Sequence, residues 1–148
     1  MRRLPALLFA VLAAASLPVA AQEKNQVFKS DSCQCCLKWM AHMMKSGFVL
    51  ESKDISNSDR TRLRAYLGIA PEHAACHTAL IDGYIIEGHV PADDVKRLLT
   101  EKPADAKGLA VSGMPAGSPG MEMDDGSSEP YEVLLLKKDG TTQVFAKH

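Results

Sequence analysis

Aromatic residues are scarce: four Phe, three Tyr and a single Trp make up 5% of the chain. Neither sign of charge dominates, with 17 basic against 18 acidic residues. These two shortages exclude a nucleic-acid surface, which needs a basic stripe with stacking aromatics interleaved. Cysteine is sparse as well. Four in 148 residues are too few for a miniprotein that replaces its core with crosslinks. There is no internal repeat, and beyond the first twenty residues no apolar run is long enough for a membrane span.

The one long apolar run stands at the start. Met1-Arg2-Arg3 is a positive opening, Leu4 to Leu17 is almost wholly apolar, and Val19-Ala20-Ala21 supplies small residues for cleavage before Gln22. Residues 1–21 therefore read as a secretory signal peptide. Pro5 and Pro18 interrupt the run, which argues against a membrane anchor, and no cysteine stands at the cleavage point to make a lipoprotein. The expectation is a periplasmic protein whose mature chain makes no stable membrane insertion. Residues 22–148 suffice for one domain with one core. Loss of Arg2 and Arg3 leaves 15 basic against 18 acidic residues.

Gln26 to Lys29 can form a strand. Asp31 and Ser32 are good N-caps for a helix opening near Cys33, with Cys36 or Leu37, Met40 and Met44 facing inward and Gly47 ending it. Phe48 to Lys53 alternates like a second strand. Asn57 or Ser58 can cap a second helix to Leu67, with Leu63, Tyr66 and Leu67 inward and Gly68 closing it. His77 to Ile81, Asp82-Gly83 and Tyr84 to Glu87 predict a hairpin with a type I′ turn. Pro91 suits the first turn of a third helix carrying Val95, Leu98 and Leu99, and Pro103 bars its continuation.

This order, strand–helix–strand then helix–hairpin–helix, is the βαβ–ββα order of a thioredoxin-like α/β domain with a mixed sheet. Residues 103–130 are rich in Gly, Pro, Ser and Met and lack periodicity, so they read as a functional or disordered loop. Residues 131–146 form an extra C-terminal hairpin around Asp139-Gly140.

Three of the four cysteines crowd into Cys33-Gln34-Cys35-Cys36. At a helix N-terminus the free N–H groups and the helix dipole favour thiolate over thiol. Thiolates serve both disulfide exchange and soft-metal binding, so placement alone leaves a redox couple and a metal site open. In the expected fold, Cys76 stands in the loop entering the third strand, facing the CxxC of Cys33 and Cys36. Four sulfurs would converge there. A peptide-linked Cys35–Cys36 bridge is strained. One tetrahedral Zn²⁺ would need both neighbours, against the usual ligand spacing of about two to four residues. Adjacent thiolates suit several bridging Cu(I) ions, which accept soft sulfur at low coordination.

Met114, Met121 and Met123 add thioethers, which suit Cu(I) and not Zn²⁺, although a long loop also uses Met to cover apolar surface. Met40, Met43 and Met44 lie at helical spacing and read as core. His77, beside Cys76, is a candidate accessory ligand or proton shuttle, and His89 can cap structure or reach the cluster. His42 reads as a surface or packing residue, and His73 and His148 as surface. Trp39 is expected to shield the apolar side of the site. Asp82, Tyr84 and Glu87 belong to the hairpin and are assigned no chemistry.

The blocks "CQCCLKWMAHMMKSGF", "CHTALIDGYIIEGHVPADDVKRLL", "GMPAGSPGMEM" and "YEVLLLKKDGTTQVF" resemble the CopG-like copper-resistance proteins, a family long catalogued as a domain of unknown function. The resemblance runs from about Val27 to Phe145 in family order. It implies a periplasmic thioredoxin-like protein that binds copper through Cys33, Cys35, Cys36 and Cys76. It also implies a role in copper tolerance beside other periplasmic copper-handling proteins. Gln34 stands where members commonly have Gly, and Ser112 where Pro is common; neither removes a ligand.

Three functions compete. One is binding of Cu(I), with several ions per chain, for sequestration, transfer or redox conversion; no catalytic residue is assigned. The alternative is a thiol–disulfide oxidoreductase using Cys33 and Cys36, against which Cys76 occupies a place where such catalysts commonly present a proline. The third is a small binding module stapled by two disulfides, in one of three pairings.

Overall fold

A seven-stranded mixed sheet organises the chain, with strand order β2-β1-β3-β4-β5-β6-β7. The structure is a computed structural model describing residues 25–148; the expected leader lies outside the described residues. In chain order the elements are β1 (Asn25–Lys29), α1 (Gln34–Lys45), β2 (Leu50–Asp54), α2 (Asn57–Leu67) and a 3₁₀ turn (Pro71–His73). Then come β3 (Thr78–Ile81), β4 (Tyr84–Glu87), α3 (Ala92–Glu101), β5 (Ala106–Ala110), β6 (Glu132–Lys137) and β7 (Thr142–Lys147). The β1/β2 and β4/β5 pairs are parallel and the others antiparallel. The expected βαβ–ββα order is thus present in a mixed α/β fold.

Strand alternation assigns the two faces. Ile86, Leu109 and Leu135 join Trp39, Met43, Val95 and Leu98 in the main core, so α1 and α3 share one face. Their neighbours Ile85, Ala110 and Leu136 pack with Ile69 and Leu67 on the other. The third helix there, α2, has no fully buried residue. Tyr66, expected inward, is 88% exposed, because α2 covers only the smaller cluster. Leu63 and Leu67 are half-buried.

The inward face of α1 matches expectation at Cys36, Met40 and Met43 and differs at Leu37 and Met44. Cys36, Trp39, Met40 and Met43 are buried, whereas Leu37 is 43% and Met44 50% exposed. Both stripes fit helical spacing. The observed one buries the indole, whose Nε1–H donates to the Val90 carbonyl at 2.9 Å; a buried Trp needs such a partner. Neither Asp31 nor Ser32 caps α1. The Asp31 carboxylate accepts from the Ser32 N–H, Cys33 N–H donates to the Ser30 carbonyl, and the helix starts only after this turn, with Cys33 at the N-cap. For α2 the cap is Ser56, whose hydroxyl accepts from the Asp59 N–H at 3.1 Å. Pro91 sits at the N-cap of α3 rather than in its first turn.

The largest correction falls in residues 103–130. They are not structureless: β5 lies inside them, paired with β4 and β6 near the middle of the sheet. Gly108 hides the strand in the sequence pattern. A Cβ there would fall inside the Ile85 carbonyl, so the position must lack the side chain that would have shown alternation. The first hairpin is as expected, with Asp82 at φ 48° and Gly83 at φ 81°, both positive as a type I′ turn requires.

Candidate functional site

The N-terminal turn of α1 carries three sulfurs and the loop before β3 a fourth. Cys33 and Cys36 are joined as a disulfide with Cα atoms 5.3 Å apart, an ordinary span for such a bond. Cys35 and Cys76 are free. Cys35 Sγ lies 3.5 Å from Cys33 Sγ and 3.4 Å from Cys76 Sγ. All four sulfurs fall within 4.8 Å of one another. Cys36 is fully buried and the other three half-buried.

Cys76 is held there by a buried carboxylate. Glu87, at the end of β4, is fully buried. Its Oε1 accepts from the Ala75 N–H at 2.8 Å and from Arg64 Nε at 2.7 Å, and its Oε2 accepts from the Thr78 hydroxyl at 2.5 Å. Arg64 reaches on to the Ala75 carbonyl. Residues on both sides of Cys76 and His77 are therefore tied to one side chain. Burial pushes the Glu87 carboxyl up, while Thr78, Arg64 and Ala75 pull it back. Glu87 and Arg64 were given no role by the sequence reading. The signal available was an acidic residue closing the apolar run Tyr84-Ile85-Ile86, a position where an unpaired charge would be costly.

A second tie brings in a thioether. Ala75 bridges Gly113, and the His73 Nδ1 meets the Ser112 hydroxyl at 3.3 Å. The next residue, Met114, places Sδ 2.7 Å from Cys76 Sγ while remaining 53% exposed. Beyond it the chain folds into a tight turn, with Gly117 N–H donating to the Met121 carbonyl and Met121 N–H to that of Ser118, both at 2.8 Å. Gly120, at φ +89°, lies against α1, where a Cβ would come 2.6 Å from the Cys35 carbonyl oxygen and 2.8 Å from Trp39 N. Met121 is half-buried in this turn and Met123 exposed. Among the described residues no hydrogen-bond contact ties either sulfur to a cysteine.

His77 and His89 are fully buried but lie outside the four-sulfur set. His77 packs between Trp39, ring centroids 4.3 Å apart, and the edge of His89 at 5.3 Å. Neither of its ring nitrogens has a partner. His89 donates from Nδ1 to the Pro119 carbonyl at 2.9 Å, leaving Nε2 buried and unpartnered. Burial holds both imidazoles below their ordinary range, His77 far below with help from the neighbouring His89. His42 is also lowered by burial, and its Nε2 accepts from the Ala92 N–H that opens α3. His148, expected as a plain surface residue, stacks on Tyr131 and pairs with Asp94 at 2.7 Å.

Cys76 departs from the expectation of a ready thiolate. Lying off the helix, it is pushed up to about 12, chiefly by burial and then by the adjoining Cys35, with Arg60 and Arg64 opposing. A surface groove lined among others by Asn25, Phe48, Asp82 and Leu99 lies at the opposite ends of β1 and β3 from these sulfurs. No described helix is long and apolar enough to cross a membrane.

Comparison with known proteins gives a consistent result. A family model described as a protein of unknown function, DUF411, matches residues 73–121. Two solved structures of the copper resistance protein CopG are similar to this chain. Form 1 is 38% identical with a TM-score of 0.77, covering 84% of this chain and 96% of its own. Form 2 is 37% identical with a TM-score of 0.76, covering 84% and 97%. No curated protein matches.

Proposed function

Because the chain belongs to the family of the copper resistance protein CopG, we propose that it is a periplasmic Cu(I)-binding protein of copper resistance. Its ligands are Cys33, Cys35, Cys36 and Cys76. The observation carrying this reading is the closeness of the four sulfurs, all within 4.8 Å. A metal–thiolate bond is about 2.3 Å long, so sulfurs sharing one ion stand at most roughly 4.6 Å apart. The set is within a few tenths of an ångström of that limit. Soft sulfur donors without a nitrogen or carboxylate among them favour Cu(I), and the adjacent Cys35 and Cys36 favour ions bridged by thiolates over a single tetrahedral one. Met114 supplies a further soft donor at the rim.

Loading all four sulfurs requires that the Cys33–Cys36 bond first take up two electrons and two protons from a dithiol reductant, which is itself oxidised to a disulfide. Cu(I) then displaces the Cys76 proton to solvent as the Cu–S bond forms, so binding releases protons. Residues 1–21 act as the export signal, and 22–148 form one thioredoxin-like domain that exchanges copper with other periplasmic copper-handling proteins. His77, packed on Trp39, and His89, against the edge of His77, are fully buried and serve only as accessories to the sulfur set.

The disulfide itself favours a second reading, a thiol–disulfide oxidoreductase using Cys33 and Cys36. Anaerobic Cu(I) titration of the reduced mature protein separates the two. Several Cu(I) per chain, falling in Cys76→Ser, supports copper binding. No bound Cu(I), together with catalytic turnover in insulin reduction, supports the oxidoreductase.

A further inference from the structure

We infer that Cys35, Cys76 and Met114 form a Cu(I) site of their own, which stays open when Cys33 and Cys36 are locked as a disulfide. The disulfide removes two of the four sulfurs from metal chemistry. What it leaves is not a scatter of single donors. Cys35 and Cys76 remain free with their sulfurs 3.4 Å apart, and Met114 Sδ touches Cys76 from the solvent side. Two thiolates and a thioether are a fitting soft, three-coordinate set for Cu(I).

The three sulfurs must spread by roughly an ångström to admit an ion bound at about 2.3 Å, and the structure lets one of them move. Met114 is 53% exposed and follows Gly113 at φ +70° with open space around it. Cys76, by contrast, is fixed by the Glu87 network. Two thiolates on one Cu(I) leave a net negative charge. Arg60, whose Nε and Nη1 are buried without an acceptor, and Arg64 both act electrostatically on Cys76 and offset it.

This inference rests on the copper-binding reading and extends it: oxidation lowers capacity without emptying the protein. The test starts from mature protein holding the disulfide, verified by alkylation of two cysteines per chain, and titrates it anaerobically with Cu(I) against a chromophoric chelator. One Cu(I) per chain is expected, lost in Cys76→Ser, with affinity falling at least about tenfold in Met114→Leu. A disulfide form that takes no Cu(I), or a Met114→Leu disulfide form that binds as tightly as wild type, overturns the inference. Reduced wild-type protein is the parallel arm. If it too takes none, the copper-binding reading fails; if it loads while the disulfide form stays empty, only this inference fails.

Discussion

Glu87 decides where Cys76 sits, and its effect is measurable at the scale of one side chain. Removing the carboxylate strands the Arg64 guanidinium, the Ala75 N–H and the Thr78 hydroxyl in a buried place. Breaking a buried pair from one side costs about 3–5 kcal/mol. Glu87→Ala is therefore expected to lower stability by that order in urea unfolding, and to lower Cu(I) stoichiometry in reduced protein that remains folded. Glu87→Gln keeps an acceptor for one N–H and is expected to lose less of both. The cysteines were legible as residues because their crowding is visible in one dimension. That Cys76 joins them followed from element order. The carboxylate that fixes it left only the trace of an acid in an apolar run, and its three partners were not legible, since they come from α2, the loop and β3 and nothing local marks them as neighbours.

At the scale of elements, two glycines carry close approaches that no other residue allows. Gly108 lets β5 lie against the Ile85 backbone, and Gly120 lets the turn after Met114 rest on the first turn of α1. Gly120→Ala forces both a backbone conformation at φ +89° and a contact with Cys35. It is expected to cost about 1–3 kcal/mol, read as a lower melting temperature. The hairpins were legible because Asp-Gly is a local instruction with a local outcome. The stripe of α1 was legible only in part, because Cys36 and Leu37, like Met43 and Met44, satisfy the same spacing beside Met40. The choice between them is made by the Val90 carbonyl, fifty-one residues from Trp39. Strand β5 was hidden for a related reason: a strand buried on both faces shows no alternation.

For the whole molecule, two buried imidazoles and one half-buried one set a pH dependence. His42, His77 and His89 all have folded-state values below the ordinary 6.5, so the unfolded chain takes up protons first as pH falls. Their contribution to stability is full above about 6.5 and is lost as pH drops below it. Unfolding free energy is expected to decline from pH 7 to pH 5, and His77→Phe is expected to flatten that slope in urea titrations at each pH. On the proposed reading, Cu(I) acts in the opposite direction on the reduced protein. A ligand that binds only the folded state stabilises it by about 2.7 kcal/mol at a hundredfold excess over its dissociation constant. A melting temperature that rises with Cu(I) in reduced wild type, and rises less in Cys76→Ser, is the expected result.

The single indole of the chain lies in α1 three residues after Cys36 and packs at a tilt against the His77 ring, which follows Cys76. Its fluorescence thus comes from one place, between the two segments that supply the sulfurs. Any event that parts or tightens those segments changes the light emitted, so the protein carries its own optical reporter of occupancy, with no label attached.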